Sequence, residues 1–207
     1  MARAAGLEVV GHPLFDAESL RWSIPPGVFD ALLVGSPAVF DLGGPGLASL
    51  RSLPVHAVGE STAAAARAAG FVVASTGVGG LQALLDAAAG KTLRFLRLAG
   101  EERVTLAPHD GQSVTERVVY RMVPRPIAPS FASVLAARHP VIALHSAAAA
   151  REFGREVDRI GLARGEHFLL ALGSRVARAA GLGWAALHIA DAPSEAALLA
   201  KAAALCK

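Results

Sequence analysis

Short runs of apolar and β-branched residues alternate with alanine-rich segments along the whole chain, and this alternation limits the possible folds more than any other feature. Alternating strands and helices are typical of parallel β-sheets that are covered by helices. We therefore expect an α/β protein with parallel sheets. The predicted strands lie at residues 7–11, 31–35, 55–58, 71–74, 92–98, 114–123, 140–144, 167–172 and 186–190, and the predicted helices lie at residues 60–69, 81–89, 147–160, 175–180 and 194–205.

The same order of elements occurs twice, which indicates an internal repeat. In the first copy a strand leads to Ser36, a helix and a second strand that ends at Gly59. In the second copy a strand leads to Ser146, a helix and another strand that ends at Gly173. Serine is a favoured residue immediately before a helix, because its hydroxyl accepts a hydrogen bond from a free backbone N–H group. Two copies of one α/β pattern predict two similar lobes.

Proline-containing segments at residues 20–27 and 121–126 flank the first copy of the repeat. Prolines stiffen extended connections, so we interpret both segments as crossings between the lobes. The first lobe is then discontinuous and consists of residues 1–22 and 125–207. The second lobe, residues 23–120, is inserted into it, and the two linker segments cover about residues 15–27 and 118–128.

Composition excludes several classes of protein. Hydrophobic residues make up 53% of the chain and charged residues 18%, which suits folded cores rather than disorder. The formal charge of +3 comes with no basic cluster that contains aromatic residues, so we expect no nucleic-acid partner. No apolar run reaches the length of about 18 residues that a membrane span needs. The first residues lack the apolar core of a signal peptide, and the single cysteine, Cys206, cannot form an internal disulfide. We expect a cytoplasmic monomer without a cofactor or metal.

Several short motifs follow one another along the chain. They are a strand that ends at Ser36, the turn Gly59-Glu-Ser-Thr-Ala63, the stretch Leu96-Arg-Leu-Ala-Gly100, a returning strand that ends in Val-Tyr120-Arg, and, in the second copy, Ser146 and Gly173. No single motif among these is specific. Their order, however, resembles the uroporphyrinogen-III synthase family over nearly the whole chain.

The resemblance implies two flavodoxin-like lobes with parallel sheets, joined by a two-segment linker. Three departures from the family pattern change what we expect of this chain. The opening strand of the first lobe has no counterpart, so its sheet should have a gap or a repaired pairing. A loop at residues 108–112 replaces the helix that usually follows Gly100, and Val176 replaces the second threonine of the repeated turn.

The resemblance also implies an activity. Members of the family cyclise hydroxymethylbilane, a carboxylate-rich linear tetrapyrrole, and invert its ring D to give uroporphyrinogen III and water. The small-molecule substrate here would then be a linear tetrapyrrole, and Tyr120 on the linker would be the catalytic residue that donates a hydrogen bond to the departing hydroxyl. Backbone amides at helix starts, hydroxyl groups and arginines would bind the carboxylates. The implied binding residues are Ser36, Gly59, Ser61, Thr62, Arg97, Ser146, Gly173 and Ser174.

Each of these residues also has a purely structural interpretation. Ser36 and Ser146 could act only as helix caps. The glycines could serve only a turn, an arginine is usually part of a solvated surface, and Tyr120 could be a packed linker aromatic. Two other functions remain open from the sequence: a non-catalytic homologue that binds a tetrapyrrole or another polycarboxylate, and a bilobal binding protein for a small solute.

Overall fold

A computed structural model describes residues 6–206, and its contacts divide the chain into two compact units. The discontinuous unit combines residues 6–16 with residues 124–206, and the inserted unit spans Ala17–Val123. The chain thus passes from one unit to the other after residue 16 and again after residue 123. We predicted the corresponding lobe boundaries at residue 22 and at residues 120–125. Residues 1–5 and 207, which the prediction assigned to the first lobe, lie outside the described part of the chain.

The inserted unit is built on one six-stranded sheet. Its strands are β1 Phe15–Ser19, β2 Ala31–Val34, β3 Val55–Val58, β4 Val73–Gly77, β5 Leu93–Gly100 and β6 Gln112–Pro124. Their order across the sheet is β1-β6-β5-β2-β3-β4, and the five strands β2 to β6 run parallel to one another. β1 runs antiparallel to β6, because the N–H of Leu20 binds the carbonyl of Val119 while the N–H of Arg125 binds that of Leu14.

Helices cover both faces of this sheet. Helices α1 Ala38–Leu42 and α2 Gly59–Ala68, with a 3₁₀ helix at Pro45–Leu50, pack on one face, where their buried residues join those of β2, β3 and β5. Helix α3 Leu81–Ala87 packs on the other face. All four residues of β2 are therefore buried, as expected for a central parallel strand.

The discontinuous unit contains a second parallel sheet. Its strands are β7 Val141–Leu144, β8 Phe168–Ala171 and β9 Ala186–Ile189, in the order β7-β8-β9. Its helices are α4 Pro129–Arg138, α5 Ala147–Arg159, α6 Ser174–Ala180 and α7 Glu195–Leu205, with a 3₁₀ turn at Arg164–Glu166. Helix α5 buries Ala150, Phe153 and Val157, whose spacing of three and four residues forms one apolar stripe.

The mixed α/β class with parallel sheets is confirmed, while some predicted elements are wrong. Residues 7–11 form no strand, and Val9 and Val10 are 62% and 66% exposed. A strand needs a hydrogen-bonded neighbour. The strand that pairs with β6 in this region is β1, which was not predicted from the sequence. Helix α4 was also missed.

Strand β4 begins two residues later than predicted, because Phe71 belongs to the end of helix α2. Gly70 has a φ of +85°, and the N–H of Phe71 donates to the carbonyl of Ala66 at 3.0 Å. This arrangement is a Schellman motif, which uses a left-handed glycine to end a helix and packs the following apolar residue on its last turn. Phe71 is accordingly buried on the face of the sheet that carries helix α2.

The stretch after Gly100 contains no helix over residues 101–111, as predicted from its sequence. It is held instead by side chains. Gln82 of helix α3 both donates to the carbonyl of Ala107 and accepts from its N–H, and His109 contacts the Asp86 carboxylate at 2.8 Å. These bonds fix the loop to the face of the sheet that carries helix α3.

Candidate functional site

The predicted site residues of the inserted unit cluster near the carboxyl ends of three adjacent strands. Val34 at the end of β2 pairs with Ala57 of β3 on one side and with Leu98 of β5 on the other. Ser36, Gly59 and Gly100 therefore follow or end neighbouring parallel strands at the same edge of the sheet. Ligands of open parallel α/β sheets bind at this edge.

Ser36 performs the capping role that its position before a helix predicts. Its hydroxyl accepts a hydrogen bond from the N–H of Ala38 at 3.3 Å, and its carbonyl accepts one from Val39. The side chain is only partly buried. A hydroxyl that accepts one bond still has its own proton to donate, so capping and a hydrogen bond to a ligand oxygen are compatible.

The start of helix α2 presents backbone amides with no capping side chain. The residue before it is Val58, which makes no side-chain cap, and Gly59 begins the helix with a φ of +76°. That left-handed conformation strongly favours glycine. Ser61 is exposed, whereas Thr62 is 1% exposed. The free N–H groups and the Ser61 hydroxyl can reach an anion, but the buried Thr62 side chain cannot do so without a rearrangement.

Arg97 lies in the interior of the unit and not on an open surface. Its side chain is 2% exposed, and one terminal nitrogen donates both to the Glu116 carboxylate and to the carbonyl of Val104. Arg103 donates to the other oxygen of Glu116 at 3.0 Å. Within the described residues the Nε of Arg97 is buried without a partner. The predicted carboxylate partner of Arg97 is thus supplied by the protein itself.

The two arginines keep Glu116 ionised. Burial alone would raise the pKa of this carboxyl group, but the hydrogen bond from Arg103 and the charge and hydrogen bond of Arg97 lower it below its ordinary value. The cluster also explains why Arg97 is tolerated in the interior, since a buried charge needs a hydrogen-bonded partner of opposite sign.

Tyr120 is partly buried and packs against the core on the face that carries helix α2. Its ring lies directly beside the α-carbon of Gly100, because a Cβ added at Gly100 would come within 2.7 Å of the Tyr120 Cζ atom. The carbonyl of Tyr120 accepts a hydrogen bond from the N–H of Glu101 at 3.0 Å. The predicted catalytic phenol is therefore held at the carboxyl end of β5, near the edge that carries Ser36 and Gly59. The significance of Gly100 for this arrangement was not predicted.

In the discontinuous unit, the predicted site residues follow the carboxyl ends of β7 and β8. Ser146 caps helix α5, where its hydroxyl accepts from the N–H of Ala149 at 3.0 Å, and it is exposed. Its neighbour His145 contacts the Glu195 carboxylate at 2.9 Å. Gly173 precedes helix α6 with an extended φ of −173°, and a Cβ added there would meet nothing within 4 Å. Gly173 is thus not required by the backbone, and Ser174 beside it is exposed.

The turn between β4 and helix α3 is a tight turn, as its glycines indicate. Gly79 and Gly80 have φ values of +92° and +98°, and Val78 is 88% exposed. No described group of three or more histidine, cysteine, aspartate or glutamate side chains converges on a point where a metal could bind. Among the described helices, none combines the length and the apolar composition needed to cross a bilayer.

These features together define a class of protein: a two-unit α/β protein whose parallel sheets place hydroxyl groups, glycines and helix starts at their carboxyl ends. The comparisons specify the family. A family model described as uroporphyrinogen-III synthase HemD matches residues 2–200. The chain belongs to the uroporphyrinogen-III synthase family, and its activity is that of a cyclising lyase in haem biosynthesis.

One solved structure supports the fold. The chain is similar to a uroporphyrinogen-III synthetase from Helicobacter pylori, with a TM-score of 0.70 and 21% identity over 93% of this chain and 91% of the other. A mutant uroporphyrinogen III synthase from Thermus thermophilus is more distant, with a TM-score of 0.49 and 17% identity over 94% and 88% of the two chains. A comparison with curated protein sequences finds no match.

Proposed function

We propose that this enzyme closes hydroxymethylbilane to uroporphyrinogen III with inversion of ring D. The terminal hydroxyl of the bilane accepts a proton and leaves as water, which leaves an electrophilic azafulvene. Ring D attacks this azafulvene through its substituted carbon and forms a spiro intermediate. The bond from that carbon to the neighbouring bridge of the bilane then breaks and re-forms at the other free position of ring D, and a proton is lost. Family membership supports this reaction. The observation that carries its location is the common edge of the inserted unit's sheet, where Ser36, the start of helix α2 and Tyr120 lie near one another.

The proposed roles follow from what each group can donate. The free N–H groups at the start of helix α2, together with the Ser61 hydroxyl and Ser36, bind substrate carboxylates. In the discontinuous unit Ser146, Gly173 and Ser174 bind further carboxylates. Tyr120 donates a hydrogen bond to the departing hydroxyl, and this bond strengthens as the hydroxyl leaves. The main task of the protein as a whole is to orient the bilane for the correct closure.

Thr62 and Arg97 receive different roles from those first expected. Thr62 supports helix α2 from the buried side, and Arg97 positions the loop after β5 through Glu116 and Val104. An arginine that already has a carboxylate partner and almost no exposed surface binds a second carboxylate only if the first bond breaks. We therefore exclude both side chains from direct contact with the substrate in this proposal.

We further propose that both units are flavodoxin-like lobes that are joined by linkers at residues 15–27 and 118–128. The flavodoxin-like strand order is 2-1-3-4-5. The inserted order β6-β5-β2-β3-β4 equals this order if β5 is counted as the first strand and the count continues through β6 to β2, β3 and β4. The order β7-β8-β9 corresponds to the last three strands. We also propose that the protein is a monomer in the cytoplasm and has no nucleic-acid partner. The exposed free Cys206 is compatible with a reducing compartment.

The flavodoxin-like order leaves room for one further strand beside β7. Among the described residues, β7 pairs only with β8, and of its four residues only Leu144 is buried. β2, which has the same position in the inserted unit, has two neighbours and is buried throughout. We propose that the opening strand of the family pattern belongs beside β7, at the edge that has no partner among the described residues.

The experiment that tests the function is an assay with freshly prepared hydroxymethylbilane, in which isomers I and III of the product are separated. The bilane closes unaided to isomer I, so an excess of isomer III reports catalysis. Tyr120→Phe should lower kcat by roughly 10- to 100-fold with a smaller change in KM, because the phenol acts mainly in the transition state.

Ser113→Ala is the matched control, since it removes an exposed hydroxyl at the opposite end of the same strand β6. It should leave the rate unchanged. Formation of isomer I alone at the unaided rate would overturn the proposed reaction and support a binding protein instead. Wild-type kcat in Tyr120→Phe would overturn only the role of the phenol.

A further inference from the structure

The register between β5 and β6 changes at the position of Tyr120. Leu98 pairs with Arg117 and Ala99 with Val118, but Gly100 pairs with Tyr120 and not with Val119. One extra residue of β6 is therefore inserted opposite the end of β5, which is a β-bulge. Bulges of this kind re-aim a side chain and are frequent near active sites.

The bulge changes the face on which Tyr120 lies. Successive residues of a regular strand point to opposite faces of the sheet. Here Val119 is fully buried in the core on the face that carries helix α2, and Tyr120 packs against the same core. Without the extra residue Tyr120 would pair with Glu101 and point to the other face.

The phenol ring takes the space that a side chain at residue 100 would occupy. A Cβ at Gly100 would lie 2.7 Å from Cζ, 2.8 Å from Cε2 and 2.9 Å from the hydroxyl oxygen of Tyr120. Gly100 is not among the glycines with positive φ, so its backbone does not require glycine. What requires glycine at this position is the close approach of the tyrosine ring.

We infer that Gly100, together with the bulge opposite it, is a positioning residue that fixes the phenol of Tyr120 at the carboxyl edge of the sheet. The inference rests on the proposed function for its catalytic consequence, but the position of the ring can be tested independently. Because the contacted atoms include the hydroxyl oxygen itself, even a methyl group at residue 100 must displace the reacting end of the side chain.

The test combines a spectroscopic and a kinetic measurement on Gly100→Ala. Tyr120 is the only tyrosine of the chain, so protein labelled with fluorotyrosine gives one ¹⁹F resonance. We expect Gly100→Ala to move this resonance towards its position in urea-unfolded protein and to lower kcat about as much as Tyr120→Phe. Gly46→Ala is the control, because its Cβ would make an ordinary contact of 3.4 Å with Trp22 in the same unit; it should change neither quantity.

A double-mutant cycle keeps the test decisive if Gly100→Ala folds poorly. In a Tyr120→Ala background the clash is gone, so Gly100→Ala should change the remaining rate and the melting temperature very little. An unmoved ¹⁹F resonance in Gly100→Ala would overturn the inference, as would an equal loss of rate in both backgrounds. If Tyr120 variants keep full activity while the resonance still moves, the catalytic role fails and the positioning contact stands.

Discussion

Replacing Glu116 by glutamine should destabilise the inserted unit far more than the same replacement at an exposed ion pair. Glu116 is the carboxylate that neutralises Arg97, whose side chain is 2% exposed. Loss of one partner of a fully buried pair costs about 3–5 kcal/mol, because the remaining charge stays desolvated. Glu116 itself is 32% exposed and the amide still accepts a hydrogen bond, so we expect about 2–3 kcal/mol.

Glu60→Gln provides the matched control. Glu60 pairs with Arg67 on helix α2, and their side chains are 71% and 53% exposed. Exposed pairs of this type contribute less than about 1 kcal/mol. The two variants thus make the same chemical change in the same unit and differ in the burial of the arginine that loses its partner.

Urea unfolding followed by tryptophan fluorescence can measure the difference within one unit. Trp22 lies in the inserted unit and donates to the carbonyl of Gly43, whereas Trp184 lies in the discontinuous unit. In a Trp184→Phe background the signal reports only the inserted unit. We expect the midpoint of Glu116→Gln to fall by about 1 M urea relative to Glu60→Gln, given slopes of about 1–3 kcal/mol per M.

The pH dependence gives a second check on the same pair. The pKa of Glu116 is held below its ordinary value of 4.5 in the folded protein. Its contribution to stability is therefore complete above the unfolded pKa and is lost as the pH falls through the lower folded pKa. The difference in free energy of unfolding between wild type and Glu116→Gln should be largest near neutral pH and should disappear in acid. Equal midpoints for Glu116→Gln and Glu60→Gln at neutral pH would refute the argument.

Two further predictions concern the discontinuous unit. His167 is fully buried, and its pKa is lowered by burial and then by the charge of His139, despite the opposite effect of Glu166. The free energy of unfolding of this unit should therefore be highest above the ordinary histidine pKa of 6.5 and should decline below it. His167→Phe should flatten this decline, which urea unfolding followed by Trp184 fluorescence can measure. Gly173→Ala should keep the melting temperature but lower the rate of isomer III formation roughly 10-fold, because its methyl group protrudes where the substrate carboxylates are proposed to bind; a wild-type rate would remove Gly173 from the site.

Local sequence patterns predicted the structure correctly where only neighbouring residues determine it. Strand β3 has the predicted bounds, and Ser146 and Ser194 cap helices α5 and α7 with hydrogen bonds to Ala149 and Ala197. In each case a short apolar run or a serine before an alanine-rich segment decides the outcome without help from distant residues.

Local patterns failed where the outcome depends on a distant partner. Residues 7–11 have the composition of a strand but pair with none of the described strands, whereas β1 is far more polar and pairs with β6. Helix α4 begins at Pro129, directly after the proline-containing segment that we interpreted as a linker, although proline is well suited to the first turn of a helix. Proline thus marks a boundary without telling on which side the helix lies.

The candidate site shows the same distinction in its chemistry. Arg97 and Glu116 are 19 residues apart and meet only because the parallel register of β5 and β6 sets them side by side. Two residues further along β5 the register shifts, and Gly100 meets Tyr120. From residue types alone, Arg97 and Tyr120 are equally good candidates for contact with the substrate. The pairing of two strands separates them, since it gives the arginine a carboxylate of its own and leaves the phenol at the edge of the sheet.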